Sequence, residues 1–181
     1  LSDSYKNIFV ILRGYRRYSS DVRIVNKNDE PKDVGDEAIL HNNYGQVCVA
    51  LDRKEGANLC IENKADLLIL DDGFQTKHIK KDISLIVCDT LNKFGNEKIF
   101  PAGPLREDIE FGLSRADAII LINNSKNSLK LDRSFGLPIF HAKKKIEIPN
   151  LKTKNIFAFC AIGSPENFYN SLSENGLNIK Q

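Results

Sequence analysis

The chain has 181 residues, of which 41% are hydrophobic and 28% are charged, a composition that suits one domain with room for the start of a second. Its 26 Lys and Arg nearly balance its 24 Asp and Glu, and a formal net charge of +2 argues against a global attraction to nucleic acid. The sequence shows no signal peptide and no run near the roughly 20 apolar residues that a membrane span needs.

Six apolar runs recur along the chain, and each has the length of a β-strand. Because they are continuous rather than alternating, they predict strands buried on both faces, as in a parallel sheet covered by helices. The predicted strands are Ile8–Leu12, Val47–Leu51, Leu67–Leu70, Ser84–Cys88, Ala118–Ile122 and Ile156–Cys160. The predicted helical segments are Asp36–His41, Arg53–Lys64, Pro104–Ser114 (a loop and a helix) and Glu166–Asn175. This alternation predicts an α/β fold with a doubly wound, mostly parallel sheet.

A polar, Lys-rich segment at Phe140–Lys152 is our candidate domain boundary. We therefore expect a core domain at 1–140 and the start of a second α/β lobe at 141–181. The basic run Lys143–Lys145 fits a solvated face better than a membrane or substrate patch. The nearby aromatic residues that we expect in the core are Phe135, Phe140 and Phe157.

Both chain ends indicate a piece of a longer protein. The sequence contains no Met, and it begins at Leu1 almost directly before a strand. It ends at Gln181 after a predicted helix, and we expect no closing strand there. We therefore expect missing segments before Leu1 and after Gln181.

The four cysteines predict buried thiols rather than a metal site. None forms a CxxC pair, and no His stands at ligand spacing from them. Cys48, Cys88 and Cys160 lie inside apolar runs. This pattern favours free thiols in a reducing compartment over a zinc site.

The most informative segment is Leu67–Leu70, which is followed at once by Asp71, Asp72 and Gly73. In a parallel sheet the ligand crevice lies at the carboxyl ends of the strands, so this strand would deliver two carboxylates there. Adjacent carboxylates repel each other unless a divalent cation neutralises them, and magnesium on nucleotide phosphates is the usual cation. An ordinary turn after a strand remains the alternative.

Other predicted strands also end in charged residues. Arg13 follows the first strand, Arg53 follows the second, and Asp89 follows the fourth. Asp36 opens a predicted helix, where it is either a general base for an attacking hydroxyl or an acidic residue that favours the helix dipole. Acids and arginines mixed along one edge suit a polyphosphate with its metal.

A tight loop at Phe100–Leu105 contains two prolines and a glycine, and Arg106 and Glu107 follow it. Arg suits bidentate phosphate contact, although a rigid surface turn with an ion pair fits as well. No Gly-Lys dipeptide occurs in the sequence, so a phosphate-cradling P-loop, if the protein has one, would lie before Leu1.

The order of these motifs resembles the tetraacyldisaccharide 4'-kinase family, which phosphorylates a lipid A precursor in Gram-negative bacteria. The resemblance extends from about Phe9 to Leu177, and the pairing of Asp71–Gln75 with Phe100–Glu107 is its most specific part. The motifs that carry it are Arg13–Tyr15, Gly35–Glu37, Leu51–Arg53, Asp71–Gln75, Asp82–Ile83, Phe100–Glu107, Arg115–Asp117 and Ala161–Phe168.

The resemblance implies a fold of the P-loop NTPase/kinase type and transfer of the γ-phosphate of ATP to the 4'-hydroxyl of tetraacyldisaccharide 1-phosphate. It implies Mg2+ as a cofactor and a lipid disaccharide as the substrate. It also implies peripheral contact with the cytoplasmic face of the bacterial inner membrane. We expect no nucleic acid partner, and the sequence leaves the oligomeric state open.

Matched residue by residue, the resemblance assigns the catalytic base to Asp36 and the magnesium ligands to Asp71 and Asp72. The residues that it assigns to the nucleotide and the transferred phosphate are Arg13, Arg53, Gln75, Arg106 and Glu107. The sequence departs from the family at Thr76, where His is usual, and at Ala38, where Pro is usual. The family's phosphate loop and a late His-containing segment are absent from the sequence, so we expect this chain to be inactive by itself.

Two other functions remain open at this stage. A P-loop nucleotide hydrolase that acts as a switch would turn over ATP without a lipid acceptor. An inactive remnant would act only as a binding module for lipid or a partner. The dependence of ATP turnover on the lipid acceptor discriminates between the kinase and the switch.

Overall fold

The computed structural model describes residues 4–89, 94–123, 136–143, 148–162 and 165–180. Its contacts divide the chain into two units. The first unit consists of 1–86, 107–119 and 135–138, and the second consists of 87–106, 120–134 and 139–181. Among the residues that the structure describes, no helix combines the length and apolar character that crossing a bilayer requires.

Nine strands and five helices are described. The strands are β1 Ile8–Leu12, β2 Arg23–Ile24, β3 Gln46–Val49, β4 Leu67–Leu70, β5 Leu85–Asp89, β6 Ala118–Asn123, β7 Ile139–Lys143, β8 Asn155–Phe157 and β9 Asn178–Lys180. The helices are α1 Pro31–Val34, α2 Asp36–Asn42, α3 Arg53–Glu62, α4 Ile109–Leu113 and α5 Pro165–Glu174.

The first unit contains a four-stranded sheet in the order β2-β3-β1-β4. The central strand β1 pairs in parallel with β3 and with β4, and β2 pairs antiparallel with β3 at the edge. The predicted mostly parallel α/β sheet is therefore confirmed. Because β1, β3 and β4 run in the same direction, their carboxyl ends share one edge of the sheet, which we call the carboxyl edge.

Helices cover both faces of this sheet. Side chains that alternate along β1 and β3 enter two separate clusters. The first cluster contains Leu12, Val25, Val34, Ala38, Val47 and Val49, and the second contains Phe9, Ile11, Cys48, Ala57 and Cys60. Helices α1 and α2 complete the first cluster and α3 completes the second, so the sheet is doubly wound, as predicted. Each large apolar side chain buried in this way contributes on the order of 1.5–3 kcal/mol.

The connection from β3 into α3 is tight. A methyl group at Gly56 would lie 2.8 Å from the Cβ of Ala50 and 3.2 Å from Cγ2 of Ile11, so only glycine lets the helix approach the sheet this closely. The side chain of Asp52 accepts a hydrogen bond of 2.8 Å from the backbone N–H of Lys54 and caps the helix. The cap fixes Arg53 in the first turn of α3, at the carboxyl edge.

Two further sheets have the orders β5-β6-β7 and β8-β9. In the second of these the strands are parallel, with Ile156 opposite Ile179, and α5 connects them. The prediction that every apolar run is buried on both faces is wrong for β5, because Leu85 is 47% and Val87 is 60% exposed. In that strand only one face is covered, and Cys88 lies on it.

Sequence reasoning missed several elements. β2 has two residues and α1 has four, too few for a periodic signal. The expectation of no closing strand is wrong, because β9 follows α5. β7 occupies the start of the segment that was expected to be a polar boundary, and the boundary itself stays a prediction.

The expected core positions of the aromatic residues are corrected in the second unit. Phe140 is 60% and Phe157 is 78% exposed, whereas Phe135, Lys144 and Lys145 lie outside the described residues. All four cysteines are free, and Cys48, Cys60 and Cys88 are buried. The prediction of free thiols is therefore confirmed, whereas the predicted burial is wrong for Cys160, which is partly exposed.

Candidate active site

The carboxyl edge of the first unit carries most of the predicted site residues. Arg13 directly follows β1, Arg53 begins α3 after β3, and Asp71 and Asp72 directly follow β4. Parallel pairing thus places residues that are far apart in the sequence on the same edge.

Arg53 holds the turn that contains the two acids. Its Nη2 donates hydrogen bonds of 2.9 Å to the carbonyl oxygen of Asp71 and 3.2 Å to that of Asp72. The turn is tight, because Asp72 has a φ of +50° and a methyl group at Gly73 would lie 2.4 Å from the Cβ of Leu70. Arg53 therefore bonds the backbone of the acidic turn rather than its carboxylates.

The carboxylate of Asp71 faces a histidine that sequence reasoning did not single out. Oδ2 of Asp71 lies 3.4 Å from Nε2 of His41, and the two side chains are 45% and 42% exposed. His41 lies in the last turn of α2, 30 positions before its partner. No local pattern in the sequence marks this pair, since only the packing of α2 beside the carboxyl edge creates it.

The acidic turn fits magnesium in a particular way. Mg2+ is usually held by one or two carboxylates together with substrate phosphates and water, and Asp71 and Asp72 supply hard oxygen donors of that kind. Within the described residues, no group of three or more His, Cys, Asp or Glu could hold a metal ion by itself. The turn therefore suits a metal shared with a polyphosphate, not an all-protein cage.

Asp36 is placed at the start of α2 by contacts between backbones. Gly35 has a φ of +92°, and a methyl group on it would lie 3.2 Å from the carbonyl oxygen of Tyr15 and 3.3 Å from Cα of Gly14. The Asp36 side chain is exposed, and its Oδ1 accepts a 3.0 Å hydrogen bond from the N–H of Glu37. The loop after β1 and the beginning of α2 thus touch directly, which brings the Arg13 loop and Asp36 together.

Gln75 and Glu107 are joined by a side-chain network. Nε2 of Gln75 donates a 2.8 Å hydrogen bond to Oε1 of Glu107. Nη2 of Arg115 lies 2.6 Å from each oxygen of the same carboxylate. The Arg115 guanidinium also lies 4.6 Å from the ring centre of Phe74 and 4.8 Å from that of Phe111. Two predicted site residues thus meet across 32 positions, and Arg115 is an addition that sequence reasoning quoted only as part of a motif.

A cavity of about 410 Å³ opens beside these groups. Two predicted site residues, Arg53 and Gln75, line it. The complete lining is Leu51, Asp52, Arg53, Gln75, Thr76, Lys77 and His78. Arg53 and Lys77 in this lining favour an anionic ligand, and Asp52, which caps α3, is its one acidic side chain.

Arg106 belongs to the second unit. It follows a closed turn in which the N–H of Phe100 donates a 2.8 Å hydrogen bond to the carbonyl of Leu105, and Nδ2 of Asn96 donates one of 2.9 Å to the carbonyl of Ala102. The tight loop expected from the prolines and glycine is thus present. Of the eight predicted site residues, seven lie in the first unit and Arg106 lies in the second.

The doubly wound parallel sheet and the acidic turn at its carboxyl edge define an α/β protein of the P-loop kinase type. The fold matches the crystal structure of the "apo" form of LpxK from Aquifex aeolicus in complex with ATP, with a TM-score of 0.80 and 24% sequence identity over 99% of this chain and 61% of that chain.

The sequence then identifies the particular family. The family described as tetraacyldisaccharide-1-P 4'-kinase matches residues 1–181, and the chain belongs to that family. Similar proteins named tetraacyldisaccharide 4'-kinase occur in Paramagnetospirillum magneticum, with 40% identity over 81% of this chain and 46% of the relative, and in Parvibaculum lavamentivorans, with 34% identity over 97% and 53%. The chain spans about half the length of the curated relatives that it matches.

Proposed function

We propose that the protein containing this chain transfers the γ-phosphate of ATP to the 4'-hydroxyl of a tetraacyldisaccharide 1-phosphate, a step of lipid A biosynthesis. The observation that carries the proposal is membership of the tetraacyldisaccharide-1-P 4'-kinase family along the whole of 1–181. The acidic turn at the carboxyl edge supports it, because phosphoryl transfer needs charge neutralisation at that place.

In this proposal the residues of the chain position the reactants and balance charge. Asp36 accepts the proton of the sugar hydroxyl as a general base, and Asp71 and Asp72 hold the magnesium. When bound, Mg2+ offsets the negative charge of the phosphate oxygens. Arg53 orients the acidic turn by donating hydrogen bonds to the carbonyl groups of Asp71 and Asp72, and it also lines the adjacent cavity.

The remaining assigned residues also act on the anionic ligand. Arg13 and Arg106 offset charge on the nucleotide or the transferred phosphate, since guanidinium groups bind phosphate oxygens in a bidentate manner. Gln75 and Glu107 act as a hydrogen-bonded pair beside the cavity. We further propose that 1–181 alone does not turn over ATP, because its sequence contains no Gly-Lys dipeptide for a phosphate loop.

We also propose peripheral contact with the cytoplasmic face of the inner membrane, where an acylated substrate resides. Exposed Phe140 and Phe157 in the second unit support this, since exposed apolar side chains can insert into the boundary between the headgroups and the acyl chains. Sedimentation of the full-length protein with anionic phospholipid vesicles tests the contact. Replacement of both phenylalanines by Ser should lower the bound fraction, and an unchanged bound fraction would contradict a role for them.

The kinase proposal is tested with the full-length protein, ATP, Mg2+ and the lipid disaccharide. We expect ATP turnover that rises with the lipid, and a product whose added phosphate at the 4'-position is seen by mass spectrometry and 31P NMR. Equal ATP hydrolysis with and without the lipid would overturn the proposal in favour of a nucleotide switch. Absence of ATP binding and turnover would overturn it in favour of a binding module.

A further inference from the structure

Arg115 lies between two aromatic rings, outside the set of residues assigned to the site. Its guanidinium is 4.6 Å from the ring centre of Phe74, in the acidic turn, and 4.8 Å from that of Phe111, in α4. Its side chain is 32% exposed. Contact with two rings limits the rotational freedom of the guanidinium, so its donors are directed before any ligand arrives.

Those donors are used to fix a carboxylate. Nη2 of Arg115 lies 2.6 Å from both oxygens of Glu107, whose side chain is 22% exposed. Nη1 lies 3.4 Å from the carbonyl oxygen of Phe74. Charge-assisted hydrogen bonds of this kind are about twice as strong as neutral ones, so Arg115 connects the acidic turn to the segment before α4.

The fixed carboxylate in turn orients an amide. Oε1 of Glu107 accepts the 2.8 Å hydrogen bond from Nε2 of Gln75. Because the amide nitrogen is directed at Glu107, the amide oxygen of Gln75 is directed elsewhere. Gln75 lines the cavity of about 410 Å³, so the orientation set by Arg115 reaches the cavity through two hydrogen-bonded side chains.

We propose that Arg115 is a positioning residue, which holds Glu107 and Gln75 in the orientation that phosphoryl transfer requires. This inference deepens the proposed function and rests on it. Lys cannot replace Arg here, because an ammonium has no planar face to lie against the rings, and its single nitrogen cannot occupy the positions of both Nη2, at Glu107, and Nη1, at the carbonyl of Phe74. Without Arg115, the partly buried Glu107 would also keep an uncompensated charge beside an anionic ligand.

The experiment compares Arg115→Lys with Arg23→Lys in the full-length protein. Arg23 is a matched control, because it forms a 2.5 Å ion pair with Asp29 at the sheet edge of the same unit. For Arg115→Lys we expect kcat to fall roughly 10- to 100-fold, the range expected from a misplacement of about 1 Å. The KM for ATP should change less than about threefold, because positioning affects the transition state more than ground-state binding.

A second variant separates positioning from general destabilisation. Glu107→Gln removes the charge that Arg115 compensates, so Arg115→Lys should cost less activity in that background than in the wild type, by at least about threefold. Additive losses, or an Arg115→Lys enzyme with kcat within twofold of the wild type, would overturn the inference. A loss of activity that only follows a lower Tm, with KM and kcat equally affected, would overturn it as well.

A readout without turnover keeps this test distinct from that of the proposed function. The side-chain amide 15N resonances of Gln75 should move in Arg115→Lys and stay unchanged in Arg23→Lys. A wild-type protein without lipid-dependent kinase activity would defeat the proposed function, whereas an unmoved Gln75 resonance in an active protein would defeat only the role of Arg115.

Discussion

Two regions of the carboxyl edge are held in different ways. Around Asp36 the contacts join backbone to backbone, with Gly14 and Gly35 touching where no side chain fits. Around Gln75 and Glu107 the contacts join side chain to side chain, through hydrogen bonds and ring stacking. The first region should therefore be sensitive to added atoms and the second to removed functional groups.

The largest effect is expected from replacing Asp36, the proposed general base in the region held by backbone contacts. In the full-length protein, Asp36→Ala should lower kcat by roughly 100-fold or more, because a general base contributes at least that much. The neighbouring Glu37→Ala is the control, since Glu37 is also exposed in the first turn of α2 and should change kcat little. Near-normal turnover of Asp36→Ala would contradict the assignment of Asp36 as the general base.

The backbone region itself is tested by a single methyl group. Gly35→Ala should lower the free energy of unfolding by about 1–3 kcal/mol, because a φ of +92° strains any residue with a Cβ. Urea denaturation of Gly35→Ala beside Gly45→Ala measures it, since a Cβ at Gly45 would meet nothing within 4 Å. Equal stability of the two variants would mean that the backbone contact is not a constraint.

The acidic turn, which lies between these two regions in the sequence, is tested by shortening the side chain that donates to its backbone. Arg53→Lys should lower the free energy of unfolding by about 1 kcal/mol, because the shorter Lys side chain does not reach the position from which Nη2 of Arg53 bonds the carbonyls of Asp71 and Asp72. Lys54→Ala, an exposed neighbour in α3, is the control and should stay within about 0.5 kcal/mol of the wild type. An Arg53→Lys protein as stable as the control would show that those two bonds do not stabilise the turn.

Local patterns in the sequence predicted the scaffold of both regions. The bounds of β1 and β4 are as predicted, and α2 begins at Asp36 as predicted. Continuous apolar runs and residues typical of helix starts are properties of neighbouring residues, so the sequence displays them directly. The exposure of Leu85 in β5 departs from the pattern, because burial depends on what packs against a strand and not on the strand alone.

The sequence could not predict the contacts within the site, because these contacts also depend on tertiary packing. His41 meets Asp71 across 30 positions, and Arg53 bonds to carbonyl groups 18 and 19 positions away. The sequence marked Arg53 as a charged residue, but it could not distinguish a phosphate contact from a backbone contact. Tertiary packing decides between those partners, and it leaves no periodic pattern in the sequence from which the partner could be predicted.

The smallest expected effect concerns the reactivity of the buried thiols. Their protection matters for the comparison, because an effect at the carboxyl edge can be assigned to one region only if the core stays closed to solvent. The hydrogen bond with Cys48, followed by burial, raises the pKa of the Cys60 thiol, so this thiol stays protonated as the pH rises past 9. Since only the thiolate reacts, a disulfide reagent at pH 8 should label the partly exposed Cys160 first and the three buried thiols many times more slowly. Mass spectrometry of labelled peptides measures the order, with Cys160→Ser as the control that removes the fast phase. Early labelling of Cys48 or Cys60 would show that the core opens readily, and effects at the carboxyl edge could then not be assigned to either region.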